Sequence, residues 1–159
     1  SQKLCRSYGL PLIFTRTFLL IGPGQKPGFV VTDLAKAIAQ GAKKITLGNP
    51  HIRRDFTDVR DAVRAYYLLM KQGQPGETYN VCSGKAVSIA DVADRLIQIS
   101  NQKITIKQKA SWRKNDPKVI HGNHSKLTKT TGWQTQISLS QSLKDTLDYW
   151  RKQPPSDSS

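Results

Sequence analysis

Cysteine is scarce in this sequence: Cys5 and Cys82 are the only two among 159 residues, and they lie far apart in the chain. Small secreted domains that depend on disulfides usually carry an even set of closely spaced cysteines. A disulfide framework is therefore not expected, and the sequence favours a reducing, cytoplasmic compartment. The length allows one domain with a substantial hydrophobic core.

Long hydrophobic runs are also missing. The longest apolar stretch, residues 10–21, is interrupted by a proline and by polar side chains at 15–17. A membrane-spanning helix needs about 20 consecutive apolar residues. The opening residues, SQKLCRSYG, also lack the basic and then apolar pattern of a secretory signal. No membrane partner is expected.

Acidic residues are few compared with basic ones. The sequence has 11 Asp and Glu against 25 Lys and Arg, a formal charge of +14. Basic residues concentrate in 103–129, where Asp116 is the only acid. This balance suits an anionic partner, such as a phosphorylated ligand, or simply a solvated basic face. Nucleic acid is not the expected partner, because zinc-finger spacing and a basic run with interleaved aromatic residues are both missing.

The first third of the chain has the pattern of an α/β protein. Gly9 stands where a helix-ending glycine is expected, and a buried strand is predicted over 10–18. After a glycine loop, Thr32 or Asp33 is a suitable N-cap for an amphipathic helix. The strand KITLG is predicted next.

The rest of the chain alternates predicted helices with short strands. In RRDFTDVRDAVRAYYLLMKQG, Asp58 and Asp61 resemble a capping arrangement at the start of a helix. This helix precedes the strand ETYNVC, and a second helix precedes the strand ITIK. Ser88 and Ser138 each open a capping box followed by an apolar stripe. The helix before ETYNVC has an apolar stripe of its own, which consists of Val59, Val63, Tyr66, Tyr67 and Met70.

The stretch LIFTRTFLLIGPGQKPGFV combines a strand, a glycine loop and a helix, as dinucleotide-binding folds do. Its glycines follow the spacing Gly-x-Gly-x-x-x-Gly, which departs from the fingerprint. Pro23 and Pro27 remove backbone N–H donors from the loop that would bind a pyrophosphate. A fitting acidic residue about 20 positions later is also missing. The loop is therefore not predicted to bind nucleotide phosphates.

Other catalytic patterns are weak. Tyr67 and Lys71 have the Tyr-x-x-x-Lys spacing of a proton-transfer pair, but Tyr67 belongs to the apolar stripe of its helix, so core packing is the favoured interpretation. His121 and His124 lack further ligands for a metal. No nucleophile elbow occurs. The sequence predicts no metal site and no self-contained catalytic machinery.

Several strings follow one another along nearly the whole chain: TRTF..IGPGQ..GFV, LGN...RDFTDVRDAVRAYYLL, GETYNVCSGKAVSI, TGW and LDYWR. Together they resemble the C-terminal half of one branch of the extended short-chain dehydrogenases/reductases, the epimerase/dehydratase group. That branch contains the GDP-6-deoxy-D-mannose reductases and the GDP-mannose 4,6-dehydratases. RDFTDVRDAV and YNVCSG are its most specific strings.

The resemblance implies an α/β fold that is an incomplete NAD(P)-binding Rossmann domain, with its last strands only, joined to a mostly helical substrate-binding lobe. Residues 1–31 would be the C-terminal remnant of the Rossmann domain. Residues 32–152 would form the lobe, with a returning Rossmann strand near 77–82. Residues 153–159 are expected to be a disordered tail.

The resemblance also implies NAD(P)H as the cofactor, without a metal. The catalytic Tyr-x-x-x-Lys of the family would precede Ser1, so no catalytic residue is expected in this chain. The cofactor-binding positions are Phe18, Leu20 and Gln25. Family members usually have Asn-His where this sequence has Leu19 and Leu20, which can neither donate nor accept a hydrogen bond.

A GDP-sugar is the substrate that the resemblance implies. Its substrate-binding positions are Phe29, Val30, Arg54, Asn80, Arg113 and Asp116. Arg113 and Asp116 correspond to the ends of an Arg-Pro-x-Glu motif, with Lys114 in place of the proline. Guanidinium groups bind diphosphates well, although Arg54 could instead pair with Asp55 or Asp58.

Three functions remain open from the sequence. The first is the substrate-binding portion of a reductase for GDP-4-keto-6-deoxymannose, inactive alone because the glycine fingerprint and catalytic tyrosine are absent. The second is a fragment of a GDP-mannose 4,6-dehydratase, and the third is a non-catalytic remnant that binds a nucleotide sugar or nothing. The expected protein partner is the N-terminal half or a second copy of the chain.

Overall fold

A computed structural model describes residues 7–109 and 116–154. Its strands are β1 (Phe14–Thr17), β2 (Leu19–Ile21), β3 (Lys44–Leu47), β4 (Arg53–Asp58), β5 (Thr78–Val81), β6 (Ala86–Ser88), β7 (Thr105–Gln108) and β8 (Val119–Ile120). Its helices are α1 (Val30–Ala39), α2 (Val59–Gln72), α3 (Ile89–Ser100), α4 (Ser125–Thr131) and α5 (Leu139–Arg151). Within these described ranges, none of the helices has the length and apolar character to cross a membrane.

Parallel pairing dominates the described strands. β1 pairs with β5, β2 with β4, β3 with β7 and β8 with β4, all in parallel, while β6 runs antiparallel to β4. Parallel strands need crossover connections, and α1 lies in the connection between the paired strands β2 and β4. The mixed α/β class predicted from the sequence is therefore confirmed.

The buried apolar residues form two clusters in the described part of the chain. In the larger cluster α1, α3 and α5 pack together around side chains such as Ile38, Leu96 and Leu147. In the smaller one α2 and β5 pack against Trp133, which is 1% exposed and donates its indole N–H to the Asp61 carbonyl. The predicted apolar faces of α3 and α5 account for much of the larger cluster.

The predicted helix ends are confirmed at three positions. Gly9 has φ +61°, the left-handed conformation of a helix-ending glycine. The Ser88 hydroxyl accepts a hydrogen bond from the Asp91 N–H, and Asp91 accepts one from the Ser88 N–H, which completes the capping box of α3. Ser138 caps α5 by accepting from the Gln141 N–H, which is one half of the predicted capping box.

Helix α1 starts earlier than the sequence predicts. Its N-cap is Phe29, which provides no side-chain hydrogen bond. Asp33 lies in the first turn rather than at the cap, and its carboxylate accepts a hydrogen bond from the Gly28 N–H. The helix gains these residues because Val31 is buried against the larger apolar cluster.

The predicted apolar stripe of α2 is wrong at three of its five positions, whereas Tyr66 packs against the smaller cluster. Val63, Tyr67 and Met70 are 58%, 54% and 82% exposed, so Tyr67 does not pack in the core. The buried face of the helix carries Ala62 and Ala65 together with Leu69. Small side chains allow this helix to approach the sheet closely, whereas the sequence pattern had emphasised its larger apolar residues.

Three aspartates of RRDFTDVRD fasten separate parts of the fold. Asp55 is buried, and its carboxylate accepts hydrogen bonds from Ser83 N (2.8 Å), Ser83 Oγ (2.6 Å), Gly84 N (2.9 Å) and Gly122 N (3.1 Å). One carboxylate on β4 thereby holds the turn after β5 and the segment after β8. Buried carboxylates need such donors because desolvation of the charge is costly.

Asp58 and Asp61 act at the start of α2. Asp58 caps the helix by accepting from Arg60 N–H at 2.9 Å and also binds the Arg60 side chain. Asp61 accepts hydrogen bonds from the backbone of Gln136 and Ile137, both at 3.0 Å, and so fixes the segment that leads into α5. The expected Asp58–Asp61 capping arrangement is therefore only half realised.

We expect Asp55→Ala to lower the free energy of unfolding by about 3 kcal/mol, because it leaves three backbone N–H donors without their acceptor. Urea unfolding followed by circular dichroism measures the change. Asp94→Ala removes the same charge from an exposed position of α3 and should change stability by less than about 0.5 kcal/mol. Equal losses in the two variants would contradict the anchoring role of Asp55.

Candidate functional site

Arg54 and Asp116, two of the predicted substrate-binding residues, form an ion pair. They are 62 positions apart in sequence, and Arg54 Nη2 lies 2.6 Å from an Asp116 carboxylate oxygen. Arg54 is 8% exposed, and its Nη1 donates to the carbonyls of Pro117 and Arg53 at 2.8 and 2.9 Å. The guanidinium is thus held in one orientation at the start of β4.

The alternative partners of Arg54 have other roles in the structure. Asp55 binds the Ser83–Gly84 turn, and Asp58 binds Arg60. The alternative prediction that Arg54 pairs with Asp55 or Asp58 is therefore wrong, because its ion-pair partner is Asp116. Arg113, with its neighbour Lys114, lies outside the described residues, so its predicted role stays a prediction.

Val30 lines a cavity of about 450 Å³ between the start of α1 and β3. Phe29, the preceding residue, is half exposed at the N-cap of the helix. The volume is within the ordinary range of small-molecule sites. The wall is mostly apolar, with two charged side chains; it consists of Gly28, Val30, Asp33, Leu34, Ala37, Lys44, Ile45, Thr46, Leu47, Gly48 and Ile89.

Gln25 and Leu20, two predicted cofactor-binding residues, contact each other within the glycine loop. The Gln25 Nε2 donates to the Leu20 carbonyl at 2.8 Å, and its Oε1 accepts from the Thr32 hydroxyl at 2.7 Å. The amide therefore ties the loop both to β2 and to α1. Its second N–H and the second lone pair of its oxygen are not used by these two bonds.

Phe18, the third predicted cofactor-binding residue, packs against the segment after β8. A Cβ added at Gly122 would lie 2.7 Å from the Phe18 ring and 2.6 Å from Cys82 Sγ, so only glycine fits there. Cys82 is fully buried, and burial, helped by the charge of Asp55, raises its thiol pKa to about 11. Cys82 is thus a structural residue rather than a reactive thiol.

Asn80 lies on β5 opposite Arg16 of β1, and its amide donates to the Asn123 carbonyl at 3.1 Å. The structure thereby brings together the pairs Arg54–Asp116 and Leu20–Gln25. It attaches Asn80 and Phe18 to the same segment after β8. In the described part of the chain, no group of three or more His, Cys, Asp or Glu side chains is arranged to hold a metal ion.

Sequence reasoning missed Asp55 as the residue that positions this region. Its four hydrogen bonds fix the Ser83–Gly84 turn and Gly122, which flank Asn80 and Phe18. The sequence offered little signal, because DFTD contains a single apolar residue and the pattern did not predict the strand β4. A buried carboxylate at such a position requires several donors, but the sequence does not indicate where they come from.

Comparison with known proteins supports the implied family. The family model described as GDP-mannose 4,6 dehydratase matches residues 2–146. The GDP-6-deoxy-D-mannose reductase of Pseudomonas aeruginosa is 36% identical over 160 residues, which cover 94% of this chain and 53% of the reductase.

Solved structures agree. RMD from Pseudomonas aeruginosa complexed with NADPH superposes with a TM-score of 0.87 at 34% identity, covering 94% of this chain and 53% of its own. The UDP-glucose 4-epimerase with UDP-glucose from Thermotoga maritima gives 0.86 at 28% identity, with 95% and 49% covered. The predicted fold class is confirmed, and the chain spans about half the length of these relatives. It belongs to the GDP-mannose 4,6 dehydratase family.

Proposed function

We propose that this chain is the C-terminal, substrate-binding portion of an NAD(P)H-dependent reductase that acts on GDP-4-keto-6-deoxymannose. The observation that carries the proposal is the Arg54–Asp116 pair, because the fold brings together two distant residues assigned to one substrate site. The similarity to a GDP-6-deoxy-D-mannose reductase supports this substrate class.

Arg54 is suited to bind the diphosphate of the nucleotide. Its guanidinium is oriented by two carbonyls and is neutralised by Asp116, whose side chain is about one third exposed. A diphosphate would compete with Asp116 for Nη2, because both are bidentate acceptors of the same donors. Arg113, which belongs to the basic stretch 103–129 as Asp116 does, would add a second cation at the diphosphate.

The cavity beside Val30 is the proposed site of the nucleotide base. Its wall combines apolar residues of α1 with the polar and apolar residues of β3 and with Gly48, a setting in which a planar base can be buried. Phe29, the residue before Val30, is half exposed at the helix start and could stack on the base.

The described residues do not supply a complete cofactor site. The glycine loop lacks N–H groups at Pro23 and Pro27, and the Gln25 amide is already bonded at both ends. NAD(P)H, when bound, supplies the hydride that reduces the 4-keto carbon, and a tyrosine of an N-terminal half would give the proton to the carbonyl oxygen. Phe18 and Leu20 would form only one wall of that site.

The structure has an edge suited to an N-terminal half. Among the described strands β1 pairs with β5 alone, so its second edge offers unpaired backbone groups. Leu10 and Leu12, just before β1, are 49% and 43% exposed. We propose that an N-terminal Rossmann half covers this edge, whereas a second copy would be the alternative occupant.

A non-catalytic remnant is the second candidate function. It is favoured by Leu19 and Leu20, which stand where relatives with the Asn-His pair place polar groups. Leu19 is 40% exposed on β2, and Leu20 packs against the smaller apolar cluster. Neither side chain can orient a substrate or cofactor by hydrogen bonds. In this case nucleotide-sugar binding would be weak or lost.

We expect Arg54→Gln to weaken binding of GDP and of GDP-mannose at least tenfold, because it removes the oriented charge that meets the diphosphate. Isothermal calorimetry on the 159-residue chain measures this. Arg53→Gln is the matched control, since it removes an adjacent, exposed arginine. No binding by the unaltered chain would instead favour the remnant.

Asp116→Asn tests the competition directly. The change removes the carboxylate that neutralises Arg54 but keeps a side chain of the same shape, so binding of GDP should become about threefold tighter or better. The same calorimetric titration compares the two proteins. Weaker binding by Asp116→Asn would show that Asp116 contacts the ligand or is needed to orient Arg54.

The purified chain alone should not oxidise NADPH in the presence of GDP-4-keto-6-deoxymannose, because the fingerprint and the catalytic tyrosine are not in its sequence. The absorbance of NADPH over time measures turnover. Co-expression with the N-terminal half of the Pseudomonas aeruginosa reductase is the positive arm, where activity would support the proposed docking edge. Turnover by the chain alone would refute the proposal that it depends on an N-terminal half.

A further inference from the structure

A second cavity, of about 330 Å³, lies between β4, the turn after β5 and the start of α5. None of the nine candidate residues named above lines it. Its wall combines two cations, one carboxylate, several hydroxyl groups and an apolar side. The lining residues are Ile21, Phe56, Thr57, Asp58, Ser83, Lys85, Val87, Arg95, Thr135, Ile137, Ser138, Leu139 and Ser142.

The outer part of this cavity is basic. Lys85 and Arg95 are exposed, and neither has a carboxylate within salt-bridge distance among the described residues. Lys85 belongs to the turn that Asp55 holds through Ser83 and Gly84, so its backbone is fixed in place. This arrangement presents two positive charges at one opening.

The start of α5 adds to the positive character. Ser138 and Leu139, the N-cap and first residue of this 13-residue helix, line the cavity. The N-terminal end of a helix carries a partial positive charge and unpaired N–H groups, which favour anions. The helix end by itself would not define a site, but here it faces the same cavity as two cations.

The inner part of the cavity is polar and buried. Thr57 and Ser142 are each 1% exposed. The Thr57 hydroxyl makes no hydrogen bond to any described residue, which is unusual for a buried polar group and points to a ligand or water as its partner. An external hydroxyl group would satisfy it.

Asp58 also lines the inner part, and it determines what a ligand can present there. Burial raises the pKa of Asp58, but hydrogen bonds from Arg60 and from the neighbouring Ser142 hydroxyl outweigh this and keep the pKa below its usual value, so the group is a carboxylate at neutral pH. An anion placed deep in the cavity would be repelled. A ligand hydroxyl, in contrast, could donate to the carboxylate.

We propose that this cavity binds a sugar phosphate, with the phosphate at Lys85 and Arg95 and the sugar hydroxyls at Thr57, Ser142 and Asp58. The two ends of the cavity require a ligand with an anionic end and a hydroxyl-bearing end. The apolar side formed by Ile21, Phe56 and Val87 suits one face of a sugar ring. The volume is near the lower limit of small-molecule sites and fits a monosaccharide better than a dinucleotide.

Calorimetry on the full 159-residue chain at low ionic strength tests this proposal with glucose 6-phosphate, inorganic phosphate and glucose as probes. Because both ends contribute, glucose 6-phosphate should bind at least about tenfold more tightly than either of the others. Equal affinity for inorganic phosphate would overturn the two-ended site. So would the absence of binding by glucose 6-phosphate at about 10 mM.

Variants locate the ligand. Lys85→Gln with Arg95→Gln should weaken glucose 6-phosphate binding at least about tenfold, whereas Lys107→Gln with Lys129→Gln removes the same charge at exposed positions elsewhere and should change it less than twofold. Equal losses in the two double variants would show diffuse charge attraction and would refute the site.

Thr57→Val removes the unpartnered hydroxyl with almost no change of shape. It should weaken glucose 6-phosphate binding about fivefold and leave inorganic phosphate binding unchanged. Circular dichroism confirms that the variant is folded, and unchanged glucose 6-phosphate binding in a folded variant would contradict the inner contact. Arg54→Gln should leave glucose 6-phosphate binding within about twofold of the unaltered chain, which separates this site from the proposed nucleotide-sugar site.

Discussion

The Asp55 carboxylate is the interaction on which the arrangement of this chain depends. It lies inside the protein on β4 and accepts hydrogen bonds from the turn after β5 and from Gly122 after β8. A buried charge is tolerable only with such a set of donors. Through it, one strand determines the positions of two segments that are far apart in sequence, which lie beside Asn80 and Phe18.

The other two aspartates of the motif extend this principle. Asp58 fixes the start of α2, and Asp61 fixes the segment before α5. The motif RDFTDVRD is therefore largely structural, and its arginine, Arg54, is the residue that we propose to bind a diphosphate.

The basic side chains at the two candidate sites differ in their surroundings. At Arg54 a cation is neutralised by Asp116 and held by backbone carbonyls, so a ligand must displace an acid to reach it. At Lys85 and Arg95 the cations are exposed beside a cavity whose inner wall is polar. The sequence suggested an anionic partner for the whole chain, whereas the structure distinguishes an occupied cation from two accessible ones.

The sequence by itself determined the α/β class, the capped helices at Ser88 and Ser138 and the family, because periodicity, caps and motif strings are local properties. Only the tertiary structure decided that α2 buries Ala62 rather than Tyr67, since close approach of a helix to a sheet depends on its partner surface. It also decided the partner of Arg54, because a residue 62 positions away comes near only when the chain is folded. Local patterns identify elements and candidate residues, and packing selects which of them meet.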